Sequence, residues 1–151
     1  MLTSRVRAID PDFFATYPLN EMMEAGIVYS SRAEAAYRVS QITARPEIAA
    51  NPALVAGLWL YADDLDASHR VSQTLDSALG AWWHGVMHRR EGDYANARYW
   101  LARARSHRKF GLIVPNPYYV VELAENGDRR LTQAQREEWV ALMEISLGEE
   151  A

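Results

Sequence analysis

The sequence predicts an all-α fold, a compact array of antiparallel helical hairpins closed by a C-terminal helix. Three observations carry this. Apolar residues recur at three- and four-residue spacing through most of the chain. Capping residues, prolines and glycines punctuate that pattern at helix-length intervals. Sustained apolar–polar alternation is absent, which argues against a large β-sheet.

The elements follow in order. Asp10-Pro11 supplies a cap and a first-turn proline for an amphipathic helix over 10–24, interrupted by Gly26. Ser31 starts a clearer helix to about Ala44, with Ala33, Ala36, Tyr37, Ser40 and Gln41 at helical spacing, and Pro46 stops it. Pro52 opens the next, to about Ala62, and Asp63-Asp64 marks a turn. Further helices are expected over 65–75, from Leu79 to Arg90, and from Tyr94 to about Arg105, the last two separated by Gly92-Asp93. The run from Gly111 to Val121 contains Pro115 and Pro117 and reads as loop. Tyr118 to Ala124 fits a helical turn or a strand. Thr132 caps a final helix ending near Leu147 and Gly148.

With 151 residues, 49% of them hydrophobic and 24% charged, the chain reads as one globular domain with a real core. No apolar run reaches the roughly 18 residues of a transmembrane helix. The segment Met1-Leu-Thr-Ser-Arg-Val-Arg lacks the apolar stretch of a signal peptide. Cysteine is absent, so there is neither a disulfide framework nor a thiolate metal ligand. These features point to the cytoplasm and away from membranes. The net charge of −4 conceals a basic stretch: residues 88–109 hold seven Arg or Lys against two acids. The acidic balance of the rest argues against nucleic acid as a partner. The basic stretch suits either an anionic ligand or a solvated helix face.

All four histidines lie between residues 69 and 107, at His69, His84, His88 and His107. On a helix, His84, His88 and Glu91 fall within roughly 60° of arc. Trp83 and Met87 flank that arc on one side, Ala81 and Gly85 on the other, which suggests a recess facing protein.

The segment from Gly80 to Arg105 resembles a tetratricopeptide repeat. Gly85 stands as the small residue where two helices cross, Gly92-Asp93-Tyr94 as the turn, and Ala97 and Ala104 as the close-packing alanines. A more degenerate copy lies 29 residues upstream: Ala56 matches Gly85, Asp63-Asp64-Leu65 matches Gly92-Asp93-Tyr94, and Ser68 matches Ala97. That period is shorter than the repeat's usual length of about 34. The resemblance implies two helical hairpins within one domain, over about residues 52–107. The string from Trp83 to Trp100 also resembles a group of microbial proteins to which no activity attaches. Set on the repeat, His84 and His88 replace large apolar residues of the hairpin interior. An unsatisfied buried imidazole costs roughly 1–3 kcal/mol, so a partner is expected.

Hairpin register then brings in a third histidine. The turn after the helix of His69 centres near residues 77–78, which sets His69 opposite about residue 86, between His84 and His88. His107, past the next helix, is expected to return toward the same pocket. Three imidazoles suit Zn²⁺, Fe²⁺, Ni²⁺ or Cu²⁺ and leave a coordination position for water or substrate. The expected roles are His69, His84 and His88 as ligands, Glu91 as fourth ligand or general base, and His107 as an acid/base group. A metal-free acid/base pocket and a purely structural polar network are the alternatives at these residues. Arg89, Arg90 and Glu91 read as a surface ion-pair set, with a ligand-anchoring role for the arginines as the sharper reading. The aromatics Trp59, Tyr61, Trp82, Trp83, Tyr94, Tyr99 and Trp100 read chiefly as core, with one or two lining a pocket. The Pro115-Asn116-Pro117 loop reads as a connector, with a lid over the pocket as the alternative. No nucleophile elbow, phosphate loop or dinucleotide fingerprint is present. Two function classes follow: a metal-dependent enzyme acting on a small molecule, and a tetratricopeptide-like module binding a peptide or partner protein without chemistry.

Overall fold

A computed structural model describes residues 1–25 and 32–148. Every regular element among them is helical. They run α1 Ser4–Arg7, α2 Pro11–Thr16, a 3-10 turn Leu19–Glu21, α3 Ala33–Thr43, α4 Pro46–Ala49, α5 Pro52–Tyr61, α6 Leu65–Ser72, α7 Ala78–Arg90, α8 Tyr94–Ala104, α9 Pro117–Glu125 and α10 Leu131–Gly148. Consecutive helices from α5 to α8 pack on one another as successive hairpins, and α10 lies across α5 and α9. No helix among the described residues is long and apolar enough to cross a membrane.

The caps explain the boundaries. Asp10, Asn51, Asp64, Ser77, Asp93 and Asn116 each accept a backbone N–H of the helix they open. The single helix expected over 10–24 is instead α2 followed by the 3-10 turn. Pro18 forbids the helical conformation at Tyr17, whose ψ is 76°. Pro46 does more than stop α3, since it opens the one-turn α4. Pro117 begins a true helix, α9, where a helical turn or strand was expected. Thr132 is not the cap of α10; its hydroxyl accepts the amide of Ala25 at 3.0 Å. The expected break at Gly26 and start at Ser31 lie outside the described residues.

The two hairpins share their local geometry. Asp63 takes φ 59° at the α5–α6 turn, and Gly92 takes φ 88° at the matching place between α7 and α8. The next residue caps the following helix in both, Asp64 for α6 and Asp93 for α8. A Cβ on Gly85 would stand 2.9 Å from Leu101 Cγ and 3.2 Å from the carbonyl of Ala97, so close crossing requires the glycine. At the equivalent crossing upstream, the Ser68 hydroxyl donates to the Ala56 carbonyl at 2.9 Å.

Helix α10 is stitched into the core by polar groups. Trp139 Nε1 donates to the Gly57 carbonyl at 2.8 Å, and Trp83 Nε1 to Ser146 Oγ at 3.0 Å. Arg89 of α7 forks onto both oxygens of Glu138, at 3.0 and 2.7 Å. Phe13, Phe14, Tyr61 and Trp139 form an aromatic cluster that anchors the N-terminal helices to the same core. Residues 79–90 of α7 are buried throughout, which makes α7 the central helix and leaves its polar residues in need of partners.

Candidate metal centre

Helices α6, α7 and α8 build one site. α6 delivers His69, while α7 delivers His84 and, one turn on, His88. The three imidazole rings pack mutually: His69 lies 4.8 Å from His84 and 5.2 Å from His88 between ring centroids, and His84 lies 4.8 Å from His88. Each offers a ring nitrogen within 4.8 Å of the others. Hairpin register therefore placed His69 at the correct level, and its ring turns inward.

The partners of the three rings differ. His88 Nδ1 shares a 2.6 Å hydrogen bond with Glu91 Oε1, and its Nε2 makes no hydrogen bond among the described residues. His84 is 4% exposed, and neither it nor His69 makes a side-chain hydrogen bond among the described residues. Burial, followed by the neighbouring His88 and His69, pushes the His84 pKa down to about 4. His69 is also held below its ordinary value, by burial and then by His88, with Glu91 and Asp66 opposing. Near neutral pH His69 and His84 are therefore neutral imidazoles.

Helix α8 covers the inner ring. The Trp100 indole stacks on His84 with centroids 3.9 Å apart and planes 13° from parallel. Glu91 and Asp93 form a second acidic group with His88. The carboxylate of Asp93 is engaged at the α8 N-terminus, accepting Asn96 N at 3.1 Å and Asn96 Nδ2 at 2.7 Å.

His107 is not brought to this cluster. It packs edge-on to Trp82 at 5.6 Å, and its Nδ1 accepts the Lys109 amide at 3.0 Å. Trp82 precedes His84 by two residues and faces about 160° away from it, so His107 lies on the other side of α7. The loop carrying Pro115 and Asn116 belongs to that side too, through Phe110 against Trp82 and Tyr118 against Phe110. It connects α8 to α9 and does not lid the histidines.

The expected surface set of Arg89, Arg90 and Glu91 is also redrawn. Arg89 and Arg90 are buried, paired with Glu138 and Asp63 respectively, and Arg90 also reaches the Leu60 carbonyl. Both line a cleft of about 430 Å³ with Tyr94, Arg129 and Gln135, yet their charges are already neutralised there. Asp63 and Asp64 serve the turn, and the Ser68 hydroxyl serves a backbone carbonyl.

Sequence reasoning named Trp100 only within a set of seven aromatics, one or two of which were expected to line a pocket. The signal was available, because a turn centred near Gly92 sets Trp100 opposite His84 by the same register argument that located His69. Comparison with protein-family models, with curated proteins and with solved structures finds no match to this chain.

Proposed function

We propose that His69, His84 and His88 bind one divalent transition metal ion, zinc, iron, nickel or copper, and that the protein is a small metal-dependent enzyme acting on a small molecule. The observation that carries this reading is His84: buried, neutral and without a hydrogen-bond partner among the described residues. Neutral imidazole nitrogens that no protein group occupies are the usual ligands of such ions.

The donors fit. Metal–nitrogen bonds of about 2.0–2.1 Å place tetrahedral ligand atoms roughly 3.3 Å apart. The nitrogens lie within 4.8 Å of one another, so small side-chain rotations close the set. Glu91 holds the Nδ1 proton of His88 and so directs Nε2 inward, as a carboxylate orients a metal-bound histidine. In this reading Glu91, expected as fourth ligand or general base, acts as the orienting group. Trp100 covers His84 on one face, while His69 is only partly buried. Bound at three protein ligands, such an ion supplies an acidified water and a Lewis acid at its open position.

The test is elemental mass spectrometry on protein purified without a histidine tag, beside His84→Ala and His88→Ala. About one equivalent of a transition metal per chain is expected, lost in both variants, with circular dichroism confirming that they stay helical. No metal, and no rise in Tm on adding Zn²⁺, Fe²⁺, Ni²⁺ or Cu²⁺, would overturn the reading. A peptide-binding module, by contrast, would bind its partner regardless of chelators.

A further inference from the structure

We infer that the cleft between α10 and the N-terminal helices binds a small amphipathic carboxylate, with its apolar part on Phe14 and Leu19 and its anionic end at Arg136 and Arg7. None of the three clustered histidines lines this cleft, so the inference stands apart from the metal reading.

The cleft has a volume of about 350 Å³, within the range of roughly 300–1,000 Å³ common for small-molecule sites. It forms where α1 packs on α10 and where α2 passes into the 3-10 turn. Leu2, Phe14 and Leu19 supply apolar lining. Phe14 is 4% exposed and packs on Tyr61 and Trp139, so that wall is fixed before any ligand arrives. Leu2 and Leu19 pack on the same core but are only partly buried, which leaves apolar surface for a ligand to cover.

Two arginines line the same cleft. Arg136 donates its Nε to the Met22 carbonyl at 2.8 Å, which fixes the guanidinium. Neither of its Nη atoms has a partner among the described residues. These two nitrogens form one edge of a planar group, and a carboxylate can accept from both. Arg7, the last residue of α1, is exposed and pairs with no carboxylate among the described residues. By contrast, Arg5, Arg38 and Arg45 pair with Glu144, Asp12 and Asp10 respectively. Glu137 also lines the cleft and forms an ion pair with neither arginine. Two guanidiniums against one carboxylate leave these side chains net positive, and apolar walls strengthen their pull on an anion. A neutral apolar ligand would leave the guanidiniums without a partner. An inorganic anion would leave Phe14 and Leu19 uncovered. An amphipathic carboxylate satisfies both.

The experiment titrates the full, untagged, ¹⁵N-labelled chain with octanoate and follows its backbone amides by NMR. Saturable shifts are expected at Arg7, Leu19 and Arg136. Octanamide, the neutral counterpart, should bind roughly tenfold more weakly. Butyrate, with less apolar surface to bury, should also lose at least roughly tenfold. Arg136→Gln should weaken octanoate roughly tenfold and the more exposed Arg7→Gln roughly threefold. Glu137→Gln should tighten it roughly twofold, because a like charge is removed from the lining. Arg7→Gln and Glu137→Gln alter exposed side chains, so their outcomes decide the matter even where Arg136→Gln disturbs the contact with Met22. No saturable shift, shifts confined to other residues, equal binding of octanamide or butyrate, or octanoate affinity unchanged in both Arg7→Gln and Glu137→Gln would overturn the inference.

Discussion

The indole of Trp100 lies flat on the imidazole of His84, 3.9 Å away and 13° from parallel, so that α8 supplies the cover for a ring carried by α7. The same ring of His84 is stacked at 4.8 Å and 21° on His88. Trp100, His84 and His88 therefore form one aromatic column with His69 set edge-on to its two imidazoles. A change of charge at the histidines must be felt by the indole. Adding Cu²⁺ or Ni²⁺ near pH 7.5, where histidine is mostly neutral, is expected to quench tryptophan fluorescence. In Trp100→Phe the larger part of that quench should vanish while metal stoichiometry is kept. An unchanged quench would mean that the metal binds away from this column.

Acid should destabilise the metal-free protein through His84. Its folded pKa, about 4, lies below the ordinary value of 6.5 because burial and the neighbouring His88 and His69 disfavour the charged ring. The folded state then binds fewer protons than the unfolded one. The contribution is complete above pH 6.5 and is lost progressively as pH falls toward 4, by up to about 3 kcal/mol. Urea unfolding of the wild type and of His84→Gln across this window tests it. The two proteins should differ in slope, and parallel curves would remove His84 as the cause.

The Arg89–Glu138 pair should be costly to break and cheap to replace. Its side chains are 0% and 1% exposed, and the carboxylate accepts two guanidinium hydrogen bonds. Glu138→Ala strands a buried cation, with an expected loss of about 3–5 kcal/mol. Replacing both partners, Arg89→Met with Glu138→Leu, should cost less than Glu138→Ala alone, because no charge is left unpaired. Denaturant unfolding of the single and double variants provides the comparison.

Two turn residues separate backbone strain from charge pairing. Asp63 occupies a left-handed conformation at φ 59°, a strain of roughly 1–2 kcal/mol that glycine would relieve. It also partners buried Arg90, and losing that pair costs roughly 3–5 kcal/mol. The pair should win, so Asp63→Gly is expected to destabilise by about 2 kcal/mol or more. At Gly92, with φ 88° and open space around a would-be Cβ, Gly92→Ala should cost only the strain, about 1–2 kcal/mol. A stabilised Asp63→Gly protein would show that Arg90 finds another partner.

What the sequence by itself determined is local. Helical spacing and caps place α5 to α8 and α10 to within a few residues, and hairpin register sets His69 level with His84 and His88. Each of these follows from the helical repeat and from short turns that leave adjacent helices little choice of partner. The misplacements are of another kind. Arg89 and Arg90 read as surface charges because nothing near them in sequence signals burial; Glu138, the partner of Arg89, stands 49 residues away on a helix that crosses the hairpins. His107 follows a loop whose course is decided by Phe110 and Tyr118 packing toward Trp82, not by the pattern of α8. Glu91 lies on the histidine arc by sequence, but only side-chain geometry shows its hydrogen bond to His88. Periodicity fixes which residues share a face, because it depends on backbone repeat alone. Which groups then meet across helices depends on closure of the whole chain, where burial obliges each polar group to find its partner from whatever segment arrives.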